Sequence, residues 1–182
     1  MVPALPTPGL LAALLFSTVL FMTGCQSSQS LDPIRTESNV DLERFMGDWY
    51  VIAAIPTFIE KEAYNALESY ELLPGKKVDT TFSFNKGGFN GPRKVYNPKG
   101  FVREGTGNAV WGMQFIWPIK AEYRIVYVNE DYTRTVIGRS KRDYVWIMAR
   151  TPEIPEEDYR RLLELTEDEG YNIGKVRRVP HG

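Results

Sequence analysis

Between residues 49 and 150 apolar side chains recur at every second position in short runs. Val78, Thr80, Phe82 and Phe84 fall on one side of their run, with Asp79, Thr81 and Ser83 on the other. Trp111, Met113, Phe115 and Trp117 share a face opposite Gly112 and Gln114. A period of two marks a strand with one buried side. The pattern predicts eight strands, at 49–55, 66–73, 77–85, 93–103, 108–116, 121–128, 132–138 and 144–150. Their separators, such as Leu73-Pro74-Gly75-Lys76, Glu104-Gly105-Thr106-Gly107 and Asn129-Glu130-Asp131, are short and turn-like. Short connections favour antiparallel neighbours. Eight strands in a meander can close on themselves, which removes both exposed edges and leaves room for one small ligand. The expected fold class is therefore all-β, an eight-stranded antiparallel up-and-down β-barrel.

After the last strand the period changes. Tyr159, Leu162, Leu163 and Thr166 form a stripe at helical spacing. Pro155 stands near the start of this helix, and Glu156, Glu157 and Asp158 sit where carboxylates favour the positive end of the helix dipole. Gly170 ends it. The runs 49–55 and 144–149 are apolar on both faces, so both faces need cover. The single C-terminal α-helix is expected to pack outside the barrel, on the paired first and last strands. At the front, Asp41 to Gly47 reads as one helical turn that passes into the strand carrying Trp49.

Residues 1–24 carry no charged side chain, and Leu10 to Met22 is an apolar run of signal-peptide length. It ends in Met22-Thr23-Gly24-Cys25, and Cys25 is the only cysteine. Small residues before a lone cysteine resemble the lipobox of bacterial lipoproteins. That resemblance implies a signal peptide over 1–24, lipid on Cys25, and membrane attachment through it. Gln26 follows, where an aspartate would favour retention in the inner membrane, so the resemblance favours the outer membrane, on its periplasmic side. Residues 25–39 are polar and serine-rich and read as a flexible tether. Residues 40–182 suit one domain, the barrel with its helix. The net charge of −1, without a basic stretch, speaks against a nucleic-acid partner.

Three short motifs give the chain a family likeness. Gly47-Asp48-Trp49 opens the first strand, Asp131-Tyr132 lies in the turn before the seventh, and Arg150 ends the eighth. In this order, followed by a helix, they resemble the lipocalin family. Asp143 to Pro152 is particularly similar to the bacterial lipocalins, outer-membrane lipoproteins related to apolipoprotein D. In a meander all three motifs fall at one end of the barrel. There an Arg150 guanidinium lying across the Trp49 indole would make a cation–π contact. That end is expected to be closed, with Gly47, Trp49, Asp131, Tyr132 and Arg150 in structural roles.

The opposite end receives loops 56–65, 85–92, 117–120 and 139–143, which carry Phe58, Ile59, Phe89, Trp117 and Ile119. Aromatics around a barrel mouth suggest a portal for an apolar ligand, with loop 56–65 as its lid. Val51, Ala53, Phe58, Phe82, Phe84, Trp111, Met113, Phe115, Tyr123 and Trp146 are the candidate ligand contacts. Lys86, Arg93, Lys94, Lys120, Arg139 and Lys141 lie near the mouth, within reach of a polar head group. The resemblance implies a fatty acid or lysophospholipid as ligand and a part in envelope storage, transport or maintenance of lipid. Two other readings remain open: a structural lipoprotein with a filled barrel, and a barrel enzyme working through Glu60, Glu62, Glu68 or Glu122. The only histidine is His181 and the only thiol is Cys25, so no Ser-His or Cys-His pair and no histidine-based metal site is available. No catalytic residue, metal or cofactor is therefore expected. The sequence leaves open whether two copies form a homodimer.

Overall fold

A helical turn, α1 (Leu42–Phe45), leads into strand β1 (Gly47–Ile55) in the computed structural model, which describes residues 32–182 together with Met1. Strands β2 (Ala63–Leu73), β3 (Lys77–Lys86), β4 (Arg93–Tyr96), β5 (Lys99–Val102) and β6 (Val110–Ile116) follow. Then come β7 (Ile119–Val128), β8 (Arg134–Gly138), β9 (Val145–Ala149), helix α2 (Glu156–Asp168) and a two-residue strand β10 (Arg177–Arg178). Consecutive strands pair antiparallel from β1 to β3 and from β5 to β9, β4 and β5 both pair with β3, and β1 pairs with β9 to close the barrel. Strand β10 lies on β1 through Ala53 and Ala54.

The strand predicted over 93–103 is two strands. The break is Asn97-Pro98, where proline lacks the N–H that a ladder needs. Strand β3 serves both halves, pairing Phe82 with Tyr96 and Asp79 with Lys99. Counted as one broken strand, β4 and β5 complete the expected eight. The seventh expected strand begins at Arg134 rather than residue 132, because Tyr132 takes φ +57° in the turn. The Asn129 carboxamide oxygen shapes that turn by accepting from the Thr133 and Arg134 amides, both at 2.8 Å.

Two apolar clusters hold the fold. One fills the lower barrel around Phe45, Trp49, Tyr70, Val78 and Trp111. The other lies outside, where Tyr159 and Leu162 of α2 cover Ile52, Ala53, Ile55, Val145 and Ile147. The helix therefore sits where expected. Ala53 does not. The β1–β9 register shifts between Val51 and Ala53, so Ile52 and Ala53 both join the outer cluster and Ala54 takes the inward place. Such a bulge reverses which side chains face inward beyond it. Ala53 is thus a contact of the helix side, not of the interior.

The chain is fixed to the barrel earlier than the predicted domain start at residue 40. Ile34 is buried in the outer cluster. The Glu37 amide donates to the Ile125 carbonyl at 3.0 Å, and the Glu37 carboxylate accepts from the Val128 amide at 3.0 Å. The stretch 34–39 is thus docked by the buried Ile34 and by the backbone and carboxylate of Glu37, which serine content and polarity do not reveal. Cys25 and residues 1–24, apart from Met1, lie outside the described residues.

Candidate functional site

One end of the barrel is sealed by a layer of rings. Trp49 and Trp111 are fully buried, and Phe45 lies between them with centroid distances of 5.1 and 5.6 Å. The Trp49 indole donates to the Phe45 carbonyl at 2.8 Å. Arg150 covers Trp49 from outside, and its forks donate to the Asp48, Arg44 and Tyr132 carbonyls at 2.7, 2.8 and 3.1 Å. These include carbonyls that the end of α1 leaves without helical partners. Gly47 permits this close approach. Its φ is +87°, and a Cβ there would stand 3.4 Å from the Arg150 Nη1. Tyr132 joins through its hydroxyl, which accepts from the Asp41 amide at 2.9 Å, and through the Arg44 guanidinium over its ring at 4.2 Å. Asp131 is exposed in the turn. Its place in the closed end is positional.

Above this plug the barrel opens into a cavity of about 490 Å³. That volume lies within the range usual for small-ligand sites. Six of the ten expected contacts line it: Phe58, Phe82, Met113, Phe115, Tyr123 and Trp146. Val51 instead lines a separate space of about 40 Å³ beside Ala54 and Val179. Phe84 is buried in the inner cluster without lining the cavity, packed on Phe82 and Tyr96 at 5.3 and 6.2 Å. Trp111 belongs to the plug and stacks on Tyr123 at 5.0 Å, so Tyr123 marks where plug ends and cavity begins. Both Phe84 and Trp111 point inward, as alternation requires, but depth along the barrel is not part of a period-two pattern.

The rim is apolar and open to solvent. Phe58, Phe115, Trp117 and Ile119 are 82%, 53%, 83% and 68% exposed. Of the lid residues, Thr57 to Glu60 line the cavity. Glu60 ties the lid down, since its carboxylate accepts from the Trp146 indole at 2.9 Å and from the Thr57 amide at 2.8 Å. Among the six basic residues expected near the mouth, Arg139 alone lines the cavity. It is paired with Asp143 at 3.4 Å and lies over Tyr144. Lys120 covers the Phe101 ring instead, and Arg93 donates to the Ser83 hydroxyl.

Three carboxylates line the cavity: Glu60, Glu68 and Glu122. Glu122 is partly exposed. Burial works to raise its pKa, but the Ser140 amide and Arg124 outweigh it and hold the group below its ordinary value. Glu68 differs. Burial pushes its carboxyl up to about 7, with the Tyr70 hydroxyl pulling downward and Glu60 adding to the rise. Tyr70 and Tyr123 are pushed well up by burial and by the Glu68 charge. The signal for Glu68 was legible: it occupies the inward alternation with Ala66, Tyr70 and Leu72, a charged residue on an apolar face. Tyr96, Ala121 and Tyr144 also line the cavity and were not among the expected contacts. Among the described residues no group of three His, Cys, Asp or Glu side chains could hold a metal ion. His181 lies in the tail, 2.9 Å from the Val51 carbonyl.

The model of a lipocalin-like domain matches residues 40–181. Temperature-induced lipocalin-1 of Arabidopsis thaliana is 32% identical, covering 78% of this chain and 79% of its own. Outer membrane lipoprotein Blc of Escherichia coli K12 is 28% identical over 87% of this chain and 89% of its own. Among solved structures, insecticyanin from the tobacco hornworm Manduca sexta superposes with a TM-score of 0.65 at 14% identity, over 82% of this chain and 85% of that one. This last likeness concerns the fold.

Proposed function

The chain belongs to the lipocalin family, and from that premise we propose that it is a lipid-anchored, non-enzymatic binding protein of the cell envelope. It holds a fatty acid or lysophospholipid with the acyl chain inside the barrel. Cys25 carries the lipid anchor and places the domain on the periplasmic side of the outer membrane. Its task is storage, transport or maintenance of envelope lipid.

The observation that carries this reading is the cavity of about 490 Å³ above a sealed floor, walled by Phe58, Phe82, Met113, Phe115, Tyr123 and Trp146. A filled barrel would leave no such space. Each methylene moved from water into it contributes ~0.8 kcal/mol, so an acyl chain gains affinity without any charged contact. The exposed apolar rim at Phe58, Trp117 and Ile119 suits entry of such a chain. Arg139 at the lining offers one cation to an anionic head group. The anchor is supported by the Met22-Thr23-Gly24-Cys25 sequence and by similarity to relatives named outer membrane lipoproteins.

Two measurements on the full chain test the proposal. Mass spectrometry of lipid extracted from protein purified from its own membrane should find a single-chain amphiphile in stoichiometric amount. Cys25→Ser should shift the protein from the membrane to the soluble fraction, because acyl chains supply most of the membrane affinity. Extraction that yields no bound lipid would count against the carrier role. A Cys25→Ser protein that stays with salt-washed membranes would count against the anchor.

A further inference from the structure

The inner end of the cavity is not apolar. Glu68 and Tyr123 line it, and Tyr70 lies directly behind them. The Tyr70 hydroxyl donates to Glu68 Oε2, and the Tyr70 and Tyr123 hydroxyl oxygens are 2.8 Å apart. A hydroxyl has one proton to give. With Tyr70 donating to the carboxylate, Tyr123 must donate to Tyr70, so both phenolic protons run toward Glu68. The other carboxylate oxygen, Oε1, accepts no hydrogen bond from the described residues.

The remaining charges on the lining do not compensate it. Arg139 is taken by Asp143, and Glu122 is taken by Arg124 and Ser140. Glu60 adds a second carboxylate, whose partners are the neutral Trp146 and Thr57. A ligand carboxylate placed here would meet like charge. A methyl terminus would strip water from Glu68 and give no hydrogen bond back, at a cost of kilocalories. A cation or strong donor meets the opposite situation: an open acceptor oxygen, and the rings of Phe82, Tyr96, Tyr123 and Trp146, whose faces attract positive charge.

We propose that the inner end of the cavity is a subsite for a protonated amine carried on an apolar body, with the Glu68 carboxylate as its counter-ion. This rests on the reading of the cavity as a site for amphiphiles and adds which head group enters first. Fatty acids bind tail-first, with the carboxylate near Arg139 and the methyl end stopping short of Glu68; amines bind head-first.

The pH dependence follows. Tyr70 bonds Glu68 from its own strand, and the titratable or charged groups that line the cavity with it are Tyr123 and Glu122 on β7, Tyr96 on β4, Glu60 in the lid, and Arg139 and Tyr144 between β8 and β9. Of these, Glu68 has its pKa placed at about 7. A long-chain alkylamine stays protonated from pH 6 to 8, near the ordinary lysine range. Its affinity should therefore fall as Glu68 takes up its proton below about pH 7.

Calorimetric titration with dodecylamine, dodecanol and dodecanoate tests the subsite, since the shared chain cancels the apolar contribution. At pH 8 the amine should bind at least about tenfold tighter than the alcohol. In Glu68→Gln the ratio of amine to alcohol affinity should fall to near one. In the unaltered protein the same ratio should shrink from pH 8 to pH 6, which needs no variant to fold. An amine no tighter than the alcohol, or a preference that survives Glu68→Gln, overturns the subsite while leaving the carrier reading standing. Failure of all three probes to bind overturns both.

Discussion

The Arg150 guanidinium lies over the Trp49 indole, 3.8 Å from its centroid, and donates to four backbone carbonyls around it. One side chain thus stacks on the first strand, holds the end of α1 and joins the turn before β8. The closed end of the barrel depends on this pair. Trp49→Ala should destabilise the fold by ~3–5 kcal/mol, as a large buried deletion. Arg150→Ala should cost less, and the double variant should fall short of the sum by ~0.5–2 kcal/mol, the worth of the shared contact. Denaturant unfolding of the four proteins measures this. Strictly additive losses would show that the contact contributes nothing.

Glu68 should make the fold less stable at higher pH. Its folded pKa, about 7, lies above the ordinary glutamate value of 4.5. The native state therefore holds a proton that the unfolded state has released between these values, and stability falls as pH rises through that window. Below the lower value both states are protonated and the contribution vanishes. Glu68→Gln should thus gain on the unaltered protein by up to ~3 kcal/mol above pH 7 and by little near pH 4. Melting temperatures of both proteins across pH 4–8 give the difference, and a gap that does not change with pH would contradict the assignment.

Gly138 ends β8 against a wall. A Cβ there would stand 2.4 Å from the Tyr171 hydroxyl and 2.9 Å from a Val126 methyl. Tyr171 cannot yield freely, because its hydroxyl accepts from the Arg139 amide at 2.7 Å and donates to the Arg139 carbonyl. Gly138→Ala should cost ~1–3 kcal/mol by overpacking. A variant as stable as the parent would show that the segment after α2 moves aside.

Phe115 and Trp111 share a face of β6 but not a depth. Phe115 is 53% exposed on the cavity rim, whereas Trp111 is fully buried in the plug. Phe115→Glu should keep the circular dichroism spectrum and weaken binding of an anionic lipid by about tenfold or more. Trp111→Glu should prevent folding. Equal effects of the two would contradict the division into plug and cavity.

That difference also shows how far the sequence reaches. Alternation identified Val78, Phe82, Met113 and Tyr123 as inward-facing because side-chain direction is a local property of a strand. The motif order Gly47, Trp49, Tyr132 and Arg150 located the closed end because a meander returns alternate turns to one side. Ala53 escaped because a single bulge at Ile52 shifts the phase, and no residue type there announces it. Small side chains do not mark interior room either. Of Ala53, Ala66, Gly112 and Gly138, Ala66 joins the inner cluster, whereas Gly112 faces Lys120 and Gly138 faces Tyr171. Depth along the barrel is set by stagger between strands, which is long-range and leaves no mark in one strand's pattern.

The most direct test is titration of delipidated protein with fatty acids of ~12–18 carbons, followed by the quenching of cavity-lining Trp146. The expected result is saturable binding at one site, with affinity rising with chain length until the cavity is full. A barrel shown to be folded by circular dichroism that binds no chain in this range would contradict the assignment of the cavity as a lipid site.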